Sequence, residues 1–364
     1  MRNFFFLAAL LVLAACDKDS PGGRSAGTRP GECILTARFD APGTKVAGQT
    51  PANEKAIQNV QIFVFRAGEG RDDGVLEVAA AAGFDRPLGV TAGSYDGLTV
   101  KCSTGYREVW AVVNDARDHT SGAGAVRTKA EFLALTHDLE NASGSCLLML
   151  GHADSGSGDP AILLVEGAMQ VAVPVRRLAA SVVLESIRND FSSPAYQKRD
   201  MFRLEAAYLL NVPGRIDFGG AGAASALPEE QWYARLAAER AEPRAAILYD
   251  DLAGEMLQYG SVHTAAHTFY AYPNDCAPSE DAVFCPRATV LVLEASIKYS
   301  GAWTRFYYPV TLDGGLQSNR QYRVNLTVHR PGNLDPNKPV AFSDVTPVIS
   351  VSGWDDGNTY NPEI

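Results

Sequence analysis

The chain has 364 residues, with 42 acidic against 32 basic side chains and a formal charge of −10. Charged residues make up only 20% of it, a density and sign that exclude a nucleic-acid partner. The length suffices for two domains of ordinary size.

The chain starts "MRNFFFLAALLVLAACDKDS". Arg2 supplies a basic n-region, and residues 4–12 form an apolar run shorter than the ~18–20 residues that cross a bilayer. Leu13-Ala14-Ala15-Cys16 then reads as a lipobox, small residues ahead of a cysteine that becomes the lipidated N-terminus. Residues 1–16 are therefore expected to be a lipoprotein signal with Cys16 as the lipidation site. An ordinary secretion signal with an incidental cysteine is the alternative. Residues 17–31, "DKDSPGGRSAGTRPG", are polar and rich in Gly, Pro and Ser, the composition of a flexible tether.

Strand candidates follow in series. "CILTARF" (Cys33–Phe39) alternates Ile34, Thr36 and Arg38 against Leu35, Ala37 and Phe39, the period of a strand with one buried face. "VQIFVFRAG" (60–68), "EVWAVVN" (108–114) and "CLLMLGHAD" (146–154) are β-branched, aromatic or aliphatic runs bounded by turn residues. Between them, Phe132, Leu135 and Leu139 recur at helical spacing and predict a helix over 127–140. "MQVAVPVRRLAASVVLESI" (169–187) predicts one long strand passing from a first sandwich to a second. A second series, "LEAAYLLNVPG", "HTFYAYPN", "ATVLVLEASIKYS", "WTRFYYPVTL" and "QYRVNLTVHRPG", is separated by Gly, Pro and Asn. Within it, 228–244 predicts a surface helix starting at Pro228 and ended by Pro243. The last legible strand is "VTPVISVSGW", with Val345, Pro347, Ile349 and Val351 at every second position. The expected fold is all-β with a few short helices: a sandwich over 32–175, a second over 176–344, and a C-terminal strand and tail over 345–364.

Five cysteines follow Cys16. Cys276 and Cys285 bracket a short Pro-containing loop and are a candidate disulfide, while Cys33, Cys102 and Cys146 leave one thiol over whatever the pairing. Chemistry-bearing patterns fail on inspection. "HTAAH" spaces His263 and His267 like a zinc pair, but Thr264 stands where the general base belongs and the stretch runs into a strand. "DSGSGDP" lacks the order of a calcium loop, and "GGAGAAS" lacks the Lys-Ser/Thr of a phosphate cradle. No G-x-S-x-G elbow occurs. No enzyme activity, cofactor or metal is expected. Trp232 and Tyr233 are candidates for stacking on a sugar ring, with docking of the helix they were placed on as the competing use.

In order along the chain, the lipobox, the early "FVF" strand, "WAVVN", "LMLGHAD", "VPVRRLAASVVLE", "LLNVPG", "FYAYPN", "YYPVTL…SNRQYRVNLTVHRPGNLDP" and the terminal "ISVSGW" resemble the fimbrillins, the subunits of type V pili. The resemblance spans nearly the whole chain. It implies a pair of transthyretin-like sandwiches exported as an outer-membrane lipoprotein and polymerised into a surface fimbrium that supports adhesion. It also implies a trypsin-like cut after a basic residue in the loop following the first strand, whose loss opens a groove filled by the C-terminal strand of the next subunit. The strand to be lost is then Cys33–Phe39. The loop after it, "DAPGTKVAGQTPANEK", holds Lys45 and Lys55 but no arginine, whereas the family's usual cut follows arginine. Lys45 is one candidate and Arg38, inside the strand, the other. The candidate donor is Val345, Pro347, Ile349, Val351 and Trp354, led by a linker, 330–344, with three prolines. An edge strand of its own sandwich is the competing reading. The family's apolar segment after the tryptophan is replaced here by polar "DDGNTYNPEI". Partners implied are other fimbrial subunits, the outer membrane through lipid, and host or bacterial surface receptors. The rivals are an anchor or accessory subunit that retains its first strand and lipid, and a glycan-binding β-sandwich lipoprotein.

Overall fold

The alternating segments of the sequence are strands in a computed structural model that describes residues 31–41, 54–68, 73–91, 93–144, 146–156, 159–220, 223–235, 246–312, 314–340, 344–353 and 359–360. The first half contributes β1 (Glu32–Asp40), β2 (Val60–Arg66), β3 (Leu76–Ala82), β4 (Ser94–Ser103), β5 (Gly105–Val113), β6 (Thr136–Asp138), β7 (Met149–His152), β8 (Ala161–Leu164) and β9 (Gly167–Arg177). One sheet runs β4-β1-β9 and the other β3-β2-β5-β7-β9, with β8 also paired to β5. The two are continuous because β9 serves both: its residues up to Pro174 pair with β1, and Val175 to Arg177 pair with β7. Leu35, Phe39, Ile62, Val64, Val100, Val109 and Val173 fill the space between the layers.

The second half contributes β10 (Ala180–Asn189), β11 (Phe202–Leu210), β12 (Val212–Pro213), β13 (Arg215–Asp217), β14 (Trp232–Tyr233), β15 (Tyr249–Met256), β16 (Val262–His263), β17 (His267–Ala271), β18 (Val290–Tyr299), β19 (Ala302–Thr311), β20 (Arg320–Val328), β21 (Val345–Gly353) and β22 (Thr359–Tyr360). A sheet β16-β10-β20-β21-β22, with β17 also on β10, faces a sheet β15-β11-β18-β19. Their inner faces supply Leu184, Leu204, Phe269, Leu293, Tyr308 and Val324 to one core. The all-β expectation is borne out. Among the described residues no helix is long and apolar enough to cross a membrane.

Three expectations about elements are corrected. The helix expected over 127–140 is confined to α1, Lys129–Leu133. Thr128 and Glu131 close it with a capping box, but Thr136–Asp138 leaves the helix to pair with β13. Phe132 and Leu135 serve a cluster on the outer face of β2 and β5, whereas Leu139 enters the core of the second half. The helical spacing thus joined residues bound for different cores. The helix expected over 228–244 is a single 3₁₀ turn, Glu229–Gln231, followed by β14, and 236–245 lies outside the described residues. The long strand expected over 169–187 breaks at Leu178-Ala179, because Leu178 N–H donates to Leu148 and Ala179 accepts from Asn319 N–H. Each half captures one side of the break.

The halves meet through β6–β13 and through buried polar groups. Arg177 is fully buried, and its Nε and Nη2 donate to the Glu54 carbonyl at 3.2 and 3.0 Å. The Tyr270 hydroxyl donates to Glu54 Oε1 at 2.7 Å. His137 Nδ1 meets the Tyr272 hydroxyl at 2.5 Å. Burial holds the His137 imidazole below its ordinary range, against the pull of Asp115 and Asp138 and with a small push from Arg117 and His119. The unfolded chain therefore binds more protons at this site than the folded one. Its stabilising effect is complete at neutral pH and fades as pH falls through about 6.5 and below. Thermal melts across pH should show a midpoint that declines below about pH 6.5, and His137→Gln should flatten that part of the decline.

Candidate functional site: the slot of the first strand

The sequence of β1 places Cys33, Leu35, Ala37 and Phe39 on one face, and all four are fully buried. The other face carries Ile34, Thr36 and Arg38 outward. This strand lies inside its sheet. It pairs antiparallel with β4, from Glu32↔Ser103 to Asp40↔Ser94, and parallel with β9, from Cys33↔Gly167 to Asp40↔Pro174. Backbone hydrogen bonds extend the pairing at both ends, with Ala41 N–H on Gly93 (2.7 Å) and Thr104 N–H on Gly31 (2.9 Å). Side chains add Thr36–Thr99 (3.0 Å) and Lys101–Glu32 (3.0 Å) across the outer face, both exposed and individually weak. Phe39 stacks on Tyr95 with ring centroids 6.2 Å apart. A strand withdrawn from this position would leave two unpaired ladder edges over an apolar floor. The floor and walls come from Leu98, Val100, Val171 and Val173. The alternation of Leu98, Val100 and Cys102 against Thr99 and Lys101 is as regular as that of β1, and it is the signal that would have marked β4 as a wall.

The terminal strand β21 has the same length, nine residues, and its burial alternates over Val345–Ile349 before ending on buried Ser352 and Gly353. It pairs with β20 along its whole length, from Val328↔Val345 to Arg320↔Gly353. Beyond it lies β22, which meets it at two positions. Val345 is buried, and Ile349 and Val351 pack against the second core while partly exposed. Pro347 is the third residue of the strand, opposite Leu326 and short of the two positions that β22 covers, where a missing N–H is tolerated. The structure thus seats Val345, Pro347, Ile349 and Val351 in their own sandwich. Cys16, Lys45 and Trp354 lie outside the described residues.

Arg38 is exposed and ion-paired to Asp40 at 3.0 Å, but its backbone sits within the paired strand, opposite Ala172. A protease needs an extended, accessible segment, so a cut at Arg38 requires the strand to leave first. Cys276 and Cys285, read from the sequence as a disulfide, are separate thiols here. Cys285 Sγ is 3.4 Å from Ser279 Oγ and receives Arg287 Nη2 at 3.3 Å.

The remaining candidates do not assemble a ligand site. His263 and His267 face each other Nε2 to Nε2 at 2.8 Å, with Glu255 and Asp250 against their Nδ1 atoms at 3.0 and 2.6 Å. Their planes differ by 10° and their centroids are 5.1 Å apart, a head-on geometry that suits an N–H···N hydrogen bond and leaves no room for a metal between the nitrogens. This relay joins β15 to β16 and β17, tying the open edge of the second sandwich. Among the described residues no group of three or more His, Cys, Asp or Glu side chains is placed to hold a metal. Trp232 is buried edge-on against Phe284. Trp303 and Tyr299 are exposed, but they sit at adjacent pair positions of the β18–β19 hairpin and so on opposite faces. No aromatic platform forms from them.

Solved structures with this arrangement exist. A candidate cell adhesion protein of Bacteroides eggerthii superposes with a TM-score of 0.62 and 18% identity, covering 90% of this chain and 98% of its own. A second, from Parabacteroides distasonis, gives 0.60 and 16%, covering 90% and 100%. A fimbrilin of Porphyromonas gingivalis gives 0.57 and 16%, covering 89% and 98%. The likeness shows the fold. At this level the resemblance read from the sequence is borne out, and it extends over nearly the full length of each protein. No protein-family model matches the chain, and no curated protein matches it.

If the slot depends on β1, its inward side chains carry the stability of the first sandwich. Phe39→Ala should cost about 3–5 kcal/mol and Leu35→Ala about 2–5 kcal/mol, from lost burial plus the cavity left behind. Ile34→Ala, on the exposed face of the same strand, should stay within about 0.5 kcal/mol. Urea unfolding of the three variants measures the contrast.

Proposed function

We propose that the chain is a structural subunit of a fimbrium, exported as a lipoprotein through Cys16 and polymerised head-to-tail by strand donation. One observation carries this reading: β1 is an interior strand at the N-terminal end of the fold, matched in length by β21 at the C-terminal end, which is paired along only one side for most of its length. Cleavage after Lys45, between β1 and β2, would cut the peptide link between β1 and the body. The vacated slot then presents two ladder edges and an apolar floor to an incoming strand. Val345, Pro347, Ile349 and Val351, with Trp354 beyond them, would supply the inward row. Donor and slot lie on different sandwiches, so the contact is heterologous and grows an open fibre. The fold shared with a fimbrilin and with candidate cell adhesion proteins supports this role. The partners are then other subunits of the same kind, and the place is the outer membrane and the fimbrium attached to it.

A second reading is favoured by one specific feature. Residues 41–55 contain no arginine, and Arg38 is locked in the sheet. A subunit that keeps β1 and its lipid would act as the anchor or accessory member of the same assembly, offering β21 to a neighbour while accepting no strand itself.

Limited trypsin digestion followed by electrophoresis without boiling separates the readings. A stalk subunit should yield a ladder of oligomers once the 42–53 loop is cut, and deleting residues 345–364 should abolish the ladder. A chain whose loop is cut, whose first strand is shown to be gone, and which stays monomeric would defeat the polymerisation reading.

A further inference from the structure

We propose that Cys33 and Cys102 form a disulfide that pins β1 to β4 and makes release of the first strand depend on reduction. The register sets the two cysteines directly opposite one another in the antiparallel β1–β4 pair. Such partners have Cα atoms about 4.5–5.5 Å apart, inside the span of roughly 4.4–6.8 Å that a disulfide bridges. Both side chains point into the same core, Cys33 fully buried and Cys102 7% exposed. In this structure both are free thiols, and Cys102 Sγ is 3.9 Å from the Cys33 carbonyl oxygen. Cys146 is placed elsewhere, in a turn closed by its own N–H on Ser143 at 2.9 Å, which makes it the odd thiol of the three.

The position of the bond gives it a consequence. The loop it closes runs from Cys33 to Cys102 and contains the whole 42–53 segment with Lys45. A cut in that segment severs the chain but leaves the β1 peptide covalently attached to β4. The slot stays filled until the sulfur–sulfur bond is broken as well. This latch rests on the reading of β1 as the strand that must leave.

Formation is a two-electron oxidation. The two thiols lose two protons and two electrons as the S–S bond forms, and the disulfide of a thiol–disulfide oxidoreductase takes them up to become a dithiol. Opening is the reverse, with a dithiol reductant. Burial pushes both thiols up, Cys102 to about 12, with Cys33 and Glu77 adding to the effect. Little thiolate exists in the folded state at neutral pH, so exchange there is slow. The bond is therefore made while the strand is still docking and persists afterwards.

The test uses the full chain purified from an oxidising compartment. Free thiols are alkylated under denaturing conditions without reductant, the protein is digested with trypsin, and peptides 25–38 and 102–107 are sought as a linked pair. The pair should be found and should vanish on treatment with dithiothreitol. Full alkylation of Cys33 and Cys102 without reductant would overturn the proposal, as would a linkage of either one to Cys146. The latch is read on the folded protein after limited trypsin cleavage. The β1 peptide should stay with the body on a non-reducing gel and be lost from it with reductant, and Cys102→Ala should lose it without reductant. Should that variant fail to fold, the reductant comparison on the unmodified chain decides. If the linked pair is found but cut protein forms oligomers equally with and without reductant, the latch fails and the polymerisation reading stands. If reductant frees the strand and no oligomers form, the latch stands and the polymerisation reading fails.

Discussion

The first sandwich depends on one backbone constraint: β1 is hydrogen-bonded on both edges, to β4 and to β9, over its full length. Every other feature of that half follows from it. The strand supplies an unbroken row of four buried side chains, and its two neighbours are joined to the rest of the chain by routes that do not pass through it. β4 belongs to the run β2–β5, and β9 bends from β1 onto β7 to close the second sheet. Removing β1 would therefore leave β2 to β9 as a connected frame with a gap in it. An edge strand would not have this property, because its loss exposes one ladder and creates no slot.

The frame is braced from outside the slot. Glu54, just after the 42–53 loop, is held by the Tyr270 hydroxyl on its side chain and by Arg177 on its carbonyl. These groups belong to the loop, to β9 and to the second sandwich, so they anchor the downstream side of the loop independently of β1. A buried ionic group is costly to leave partly unpaired, and that cost favours keeping this junction intact while the strand on the far side of the loop is exchanged. The Glu255–His263–His267–Asp250 relay performs a similar bracing role at the open edge of the second sandwich.

Much of this was legible in the sequence, and the failures have physical causes. The alternation in Cys33–Phe39 and in Val345–Val351 exposes the buried face of each strand, because side-chain direction has period 2 and needs no partner to be read. Whether a strand is interior or at an edge is not a local property. β1 pairs in parallel with a strand more than 130 positions away, and a parallel partner at that separation leaves no turn signature. The same limit left Cys33, Cys102 and Cys146 unresolved: their count shows that one is odd, but only the register shows which two face each other. The overcalled helix at 127–140 fails for another reason. Its spacing is real, yet Leu139 is drawn to the second core by the pairing of β6 with β13, and tertiary contacts override a periodicity that is only three residues deep.

Equal strands in unequal seats explain how the proposed assembly can be both favourable and quiescent. At home β21 has β20 on one side and only two positions of β22 on the other, and Pro347, Ile349 and Val351 are only partly buried. A strand in the slot of β1 is paired on both sides, and its inward row is fully enclosed. Transfer therefore gains most of a second ladder, at a net ~0.5–1.5 kcal/mol per hydrogen bond, and completes the burial of the inward side chains, set against the ordering cost of association. The slot's own strand nevertheless wins while it is tethered, because an intramolecular competitor acts at a high effective concentration that a second molecule does not match. The covalent state of the tether, not the affinity of the donor, is then the control point. With the proposed disulfide as a second tether beside the peptide, both would have to be opened before the difference between the two seats could drive assembly.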